Sequence, residues 1–244
     1  MAIYKVLGLF DELRKMQMFS ALSDEEMGDI VGKIVVKYYR KDDVILWEGD
    51  TNSYMYLIMS GRVKVVQMTE EGKEIISAIH AVGDSFGELS LLDCKTSPAE
   101  VVAIEDTSAV IISREDFFSI IYSQKKVLDN LIQMFCMRLR DSCERVQMVN
   151  FKNSEQRLTM LFQKFSASHG EPVTEGTLLN IRLTHQIMAS MTGLSRETVT
   201  RTIDALRKEK SIKIRKGDRK VILLPDFLKL RLVALSVLTP AYSI

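Results

Sequence analysis

The chain has 244 residues, 46% of them hydrophobic and 27% charged, with a net charge of +1. This composition is ordinary for a globular protein, and the length suits two domains that can each bury a core. It excludes several classes: no uncharged apolar run nears the ~18 residues of a spanning helix, the start MAIYKVLGLFDELRKM has no signal-peptide pattern, and the three cysteines Cys94, Cys136 and Cys143 lack CxxC spacing and read as reduced cytosolic thiols. His80, His169 and His185 are scattered and suggest no metal site.

Residues 1 to about 33 read as helical. Phe10, Leu13 and Met16 recur at helical spacing, and Ser23 with Glu26 forms a capping box ahead of Met27, Ile30 and Val31. From Val35 to Ile112 short β segments follow one another. Val44 to Trp47 stops at Glu48-Gly49-Asp50, Tyr54 to Met59 at Ser60-Gly61, Val63 to Met68 at Glu71-Gly72, and Ile75 to Ile79 at Gly83-Asp84; Val101 to Ile104 and Ala109 to Ile112 complete the set. Strands at this spacing with glycine turns predict an antiparallel sandwich or barrel. Neither a nucleophile–base pair nor a carboxylate cluster is present, so no enzymatic activity is expected.

Arg114 to Phe151 reads as one long helix. Its Ile132, Phe135, Leu139, Ser142, Val146 and Val149 are spaced alternately three and four apart, a heptad seam that asks for a partner helix. Cys136 and Cys143 flank the seam, and buried packing is the expectation for them. Asn153 or Ser154 caps the next helix, with Leu158, Leu161, Phe162 and Phe165 as its core face and its end near Gly170. Glu171 to Asn180 reads as a loop or β turn, and Phe227 to Leu238 as a last amphipathic helix.

Leu183 to Glu209 carries the chemistry. Thr184 and Ser195 are placed to cap two short helices, and Gly193 between them supplies positive φ. Val199, Ile203 and Leu206 draw one apolar stripe on the second helix, leaving Arg196, Glu197, Thr200 and Arg201 on the other face. Arginine can bond guanine in a fork, and a carboxylate can accept from cytosine, so this face suits the DNA major groove. An ordinary helical hairpin with a solvated charged face has the same spacing. Charge favours the first reading: Ser195 to Lys220 holds ten Lys or Arg against four acids, a local +6 on a chain of net +1. After this helix, Ile212 and Ile214 alternate with Lys213 and Arg215, and Lys216-Gly217-Asp218 supplies a turn, predicting a basic β-hairpin wing.

The order of EGD (48–50), SGRVKV (60–65), GDSFGELSLL (83–92), a long helix and SRETVTR (195–201) resembles the cyclic-AMP receptor protein/FNR family of bacterial transcription regulators over nearly the whole chain. The resemblance implies an α+β protein. Residues 1–113 would form an effector-sensing antiparallel jelly-roll barrel of the cyclic-nucleotide-binding type with N-terminal helices. Residues 114–151 would form the dimerisation helix, and 152–244 a winged helix-turn-helix domain. It implies a cytoplasmic homodimer on an inverted-repeat DNA operator, with RNA polymerase as a partner.

By the same resemblance Gly87, Glu88 and Leu89 belong to the effector seat, Ser142 and Cys143 meet the effector at the dimer helix, and Arg196, Glu197 and Arg201 read a TGTGA-type half-site. Ser195, Thr198 and Gln186 are placed for phosphate contacts that set register. One departure matters. Where cyclic-nucleotide binders have Arg-Ser, this chain has Ser97-Pro98, which offer no charge and, at the proline, no N–H. Lys95 is close by but is not a fork. A small-molecule effector other than cyclic AMP is therefore expected, with Glu88 bonding turn amides. The alternatives are a haem- or redox-responsive regulator, using His80, Cys136 or Cys143, and an effector-independent DNA-binding protein.

Overall fold

A computed structural model describes residues 10–225, apart from 216 and 219, together with residue 227. The chain divides into two compact units, Met1–Asp141 and Ser142–Ile244.

The first unit opens with α1, helical over residues 10–15, and a 3-10 turn at Gln17–Phe19. The capping box then forms as expected: Glu26 N–H donates to Ser23 Oγ at 3.2 Å and Ser23 N–H to Glu26 Oε2 at 2.7 Å, starting α2 (Asp24–Val31).

Eight strands follow: β1 (Ile34–Tyr39), β2 (Val44–Leu46), β3 (Tyr54–Ser60), β4 (Val63–Met68), β5 (Glu74–His80), β6 (Ser85–Phe86), β7 (Glu100–Ala103) and β8 (Thr107–Ser113), with α3 (Glu88–Asp93) between β6 and β7. They form two antiparallel sheets, ordered β1-β8-β3-β6 and β2-β7-β4-β5. The expected barrel is an open jelly roll, since no strand pairing joins the two sheets among the described residues.

Alternation along β3 and β8 explains the layering. Met55, Leu57, Val110 and Ile112 face the helices, in one core with Phe19, Met27 and Phe117. Tyr56, Ile58, Ala109 and Ile111 face the other sheet, in a second core with Val63, Phe86 and Val101. With both faces covered, β8 is a continuous apolar run rather than an alternating one. The glycine turns keep their place: Gly61 at φ 82° passes so close to Thr107 that a Cβ there would stand 2.8 Å from its Cα.

Arg114 to Phe151 is not one helix. α4 (Arg114–Ser123) ends at Gln124, whose φ of −123° and ψ of 88° are not helical, and α5 (Lys125–Asn150) starts afresh. α5 has two apolar faces. Val127, Leu131 and Met134 are buried in the helix-side core, whereas Ile132, Leu139, Val146 and Val149 of the seam are exposed, Leu139 by 66%. Phe135 is half-buried against that same core.

The second unit contains α6 (Ser154–His169), β9 (Gly170–Val173), β10 (Gly176–Leu179), α7 (His185–Thr192), α8 (Arg196–Lys208), β11 (Ile212–Ile214) and β12 (Val221–Leu223). The stretch expected as a loop at 171–180 is the β9–β10 hairpin, which joins the wing in one sheet ordered β11-β12-β10-β9. Phe227 is fully buried, 6.0 Å from the Phe162 ring. Apart from it, the expected amphipathic segment Phe227 to Leu238 lies outside the described residues.

Candidate nucleic-acid interface and effector seat

The helix pair α7–α8 is set by local rules. Thr184 Oγ1 accepts from Ile187 N–H at 3.1 Å, and Ser195 Oγ from Thr198 N–H at 3.1 Å, so each helix has its N-cap. Gly193 closes α7 at φ 67°. Val199, Ile203 and Leu206 are buried, which turns Arg196, Glu197 and Arg201 outward, all three exposed. Glu197's carboxyl lies below the usual range; its own backbone N–H and the Ser195 hydroxyl do most of this, with Arg196 and Arg201 assisting. A carboxylate biased toward its ionised form, with two arginines on the same helix face, is a ready acceptor beside ready donors.

The structure brings Arg196, Glu197, Thr198 and Arg201 together with Ser195. Thr200 is different: its Oγ1 donates to Arg196 O at 2.9 Å and lies 2.8 Å from His185 Nδ1. Gln186 is exposed on α7, its Nε2 3.5 Å from Ser190 Oγ.

The wing forms, and Glu175, outside the stretch counted as +6, offsets one more of its positive charges. Lys213 Nζ pairs with Glu175 Oε1 at 2.5 Å, and Arg215 pairs with Asp218, holding that carboxyl well below the usual range. Lys216 and Arg219 lie outside the described residues.

In the first unit, the seat expected of Gly87 and Glu88 is at the start of α3. Gly87 has φ 84°, and a Cβ there would stand 2.7 Å from Tyr54 O. The buried Asn52 fastens it: Nδ2 donates to Gly87 O at 2.9 Å, and Oδ1 accepts from Tyr54 N–H at 3.1 Å. Glu88 is only 2% exposed.

Glu88 does not bond turn amides, as the sequence suggested. Arg138, fifty residues on in α5, donates to Glu88 Oε1, to the Ser85 carbonyl, and to Ser85 Oγ at 3.1 Å. Glu88 Oε2 is buried with no hydrogen-bond partner. Arg138 and Asn52 were missed because neither belongs to the short patterns that marked the seat.

Leu89 points outward, 49% exposed. Ser97 is buried at 5%, donating its hydroxyl to Ala99 O and its N–H to Asp50 O, each at 2.8 Å. Lys95 is exposed. Ser142 and Cys143 are on the exposed face of α5, and Cys136 is exposed too. His80 Nδ1 lies 3.8 Å from Asp84 Oδ2. No group of three or more His, Cys, Asp or Glu is arranged to hold a metal ion among the described residues, and no described helix is long and apolar enough to cross a membrane.

Comparison with known proteins fits both regions. Residues 36–124 match the cyclic nucleotide-binding domain family and residues 156–233 the Crp-like helix-turn-helix domain family. The chain is 30% identical over 204 residues to the cyclic AMP receptor protein of Thermus thermophilus, covering 84% of this chain and 91% of that one. It is 26% identical over 197 residues to the global nitrogen regulator of Synechococcus elongatus, covering 78% and 87%. A solved CooA mutant from Carboxydothermus hydrogenoformans shares the fold, with a TM-score of 0.76 at 23% identity over 90% of this chain and 95% of that one. With a cyclic nucleotide-binding-type domain followed by a Crp-like helix-turn-helix domain, this chain belongs to the CRP/FNR family of transcription regulators, a family of DNA-binding proteins rather than enzymes.

Proposed function

We propose that this protein is a homodimeric regulator that reads an inverted-repeat DNA site through α8 and answers to a small-molecule effector other than cyclic AMP. The observation that carries the DNA reading is the outward trio Arg196, Glu197 and Arg201 on a helix whose other face is buried. Each arginine pairs with a guanine edge, and Glu197 accepts from a cytosine amino group. Ser195, Thr198 and Gln186 sit where phosphates set register. Such a protein works in the cytoplasm, alongside RNA polymerase. The dimer reading is supported by the exposed seam on α5, which leaves Leu139 and Val146 over 60% exposed in one chain. Paired through that seam, two copies would present half-sites about 34 Å apart.

The effector reading rests on Ser97, whose hydroxyl and N–H are both used locally, and on Pro98, which has no N–H. One relative carries the name cyclic AMP receptor protein and another global nitrogen regulator, so the same framework is found under differently named regulators.

Binding-site selection from a random duplex pool, with full-length protein, tests the DNA reading. An inverted repeat of guanine-containing half-sites is expected, and sites without two-fold symmetry would overturn it. Calorimetry with cyclic AMP tests the effector reading, and micromolar or tighter binding would overturn that. For the dimer, Leu139→Asp or Val146→Asp should give monomers in light scattering; two dimeric variants would move the interface elsewhere.

A second reading, an effector-independent DNA-binding protein, draws on Arg138, which engages Glu88 from within the chain. A thermal-shift screen separates the two, because a true effector raises stability by mass action.

A further inference from the structure

α8 carries three threonines, Thr198, Thr200 and Thr202, and two of them are tied to other helices. Thr200 Oγ1 lies 2.9 Å from Arg196 O and 2.8 Å from His185 Nδ1 of α7. Thr202 Oγ1 lies 2.8 Å from Thr198 O and 3.0 Å from Ser154 Oγ of α6. A hydroxyl has one proton and two lone pairs. In a helix that proton goes to the carbonyl four residues back, an arrangement threonine favours. Each hydroxyl therefore accepts from outside: Thr202 from the Ser154 hydroxyl, and Thr200 from His185, whose Nδ1 must then carry hydrogen.

These two inbound bonds reach α8 from different helices. The one at Thr200 falls within the stretch whose outward side holds Arg196, Glu197 and Arg201, and the one at Thr202 directly after it. The apolar stripe alone allows some roll, because Val199, Ile203 and Leu206 pack without direction. Hydrogen bonds have direction and remove that freedom. Thr200 lies between Arg196 and Arg201 in the chain, so a small roll there moves both guanidiniums relative to the groove.

We propose that His185 is a positioning residue for DNA sequence reading. Its Nδ1–H, donated to Thr200, fixes the roll of α8, so that the reading trio meets base edges in register. Phosphate contacts tolerate a small roll; bidentate base contacts do not. The inference rests on α8 being the reading helix. If the wild-type protein selects no preferred site, that reading fails; if it selects one that the variants below read equally well, only this inference fails.

The test measures the affinity of the full-length protein for the selected duplex and for a scrambled duplex of equal length, by fluorescence anisotropy. His185→Phe should lower the ratio of the two by about 2- to 12-fold, the range one net hydrogen bond covers. Affinity for the scrambled duplex should hold. An asparagine amide can take the place of Nδ1 and a glutamine amide that of Nε2, so His185→Asn should restore the ratio to within about twofold while His185→Gln should not. Should the phenylalanine variant fail to fold, Thr200→Val removes the same bond from the other side at nearly constant volume and should show the same fall. The inference is overturned if the Phe or Val variant keeps the wild-type ratio, if Gln rescues and Asn does not, or if both affinities fall together.

Discussion

Two glutamates, each in the first turn of a helix, behave in opposite ways. Glu88 opens α3 behind a glycine, is 2% exposed, and shares one oxygen with Arg138. Glu197 opens α8 behind a serine cap, is exposed, and is held ionised by its own N–H and the Ser195 hydroxyl. Both sit in short patterns that resemble one family. The outer carboxylate is bonded only by its own helix start and stays open to solvent, whereas the inner one is enclosed and held by a side chain fifty residues away. A preserved letter therefore carries its expected role only where nothing else in the fold has claimed the atom.

The sharpest way to break this contrast is at Arg138. Arg138→Ala leaves the Glu88 carboxylate buried without its counter-charge, and removing one partner of such a pair is costly. Arg138's side chain is 29% exposed, so a discounted loss of about 2–4 kcal/mol is expected in chemical denaturation. Arg138→Ala combined with Glu88→Gln should recover much of it. If the single variant stays within about 0.5 kcal/mol of wild type, a value typical of unremarkable surface changes, Glu88 is not held as described.

At the outer glutamate the effect moves from stability to recognition. Glu197→Ala should relax discrimination at one base pair by about 1–3 kcal/mol. Unchanged half-site preference in a repeated selection would remove Glu197 from the reading trio.

Asp84 refines the inner side. Burial works upward on its carboxyl, but the His80 imidazole, the Ala81 N–H and the charge of Arg138 outweigh it and leave the carboxyl below its usual value. A depressed carboxylate stabilises the fold above its unfolded value of about 3.9, and the benefit is lost as pH falls through the lower folded value. The side chain is half exposed, so Asp84→Asn should cost under about 1 kcal/mol at pH 7. The two proteins should converge in acid; a gap that persists below about pH 2 would assign the loss to packing instead of charge.

The smallest effect belongs to the wing. Glu175→Ala frees Lys213 from its partner, so affinity for any duplex should rise slightly and the salt slope steepen by less than about one phosphate's worth. A flat response would place Lys213 away from DNA.

What was legible in the sequence was local. Ser23 with Glu26, Thr184, Ser195 and Gly193 announced helix ends because a cap needs only its own next three residues. Gly49, Gly61, Gly72 and Gly83 all have positive φ at the turns they were expected to make. The strand IVVKYY was not singled out, since apolar letters fill its exposed positions Val35 and Tyr38 and hide an alternation that burial shows from Ile34 to Lys37. The break at Gln124 was hidden because neither glycine nor proline marks it. Pairings across sequence distance were out of reach altogether: Arg138 with Glu88, His185 with Thr200, and Lys213 with Glu175 follow from packing, which no short pattern encodes.

The slot that holds Ser97 also bears on ancestry. Its side chain is enclosed and its hydrogen bonds bind one loop to another across Asp50 and Ala99. An arginine placed there alone would bury a cation and break those ties, and the proline beside it would still offer no amide. A lineage crossing between this seat and one built for a phosphate therefore has to pass through a poorly folded intermediate or change neighbouring positions together.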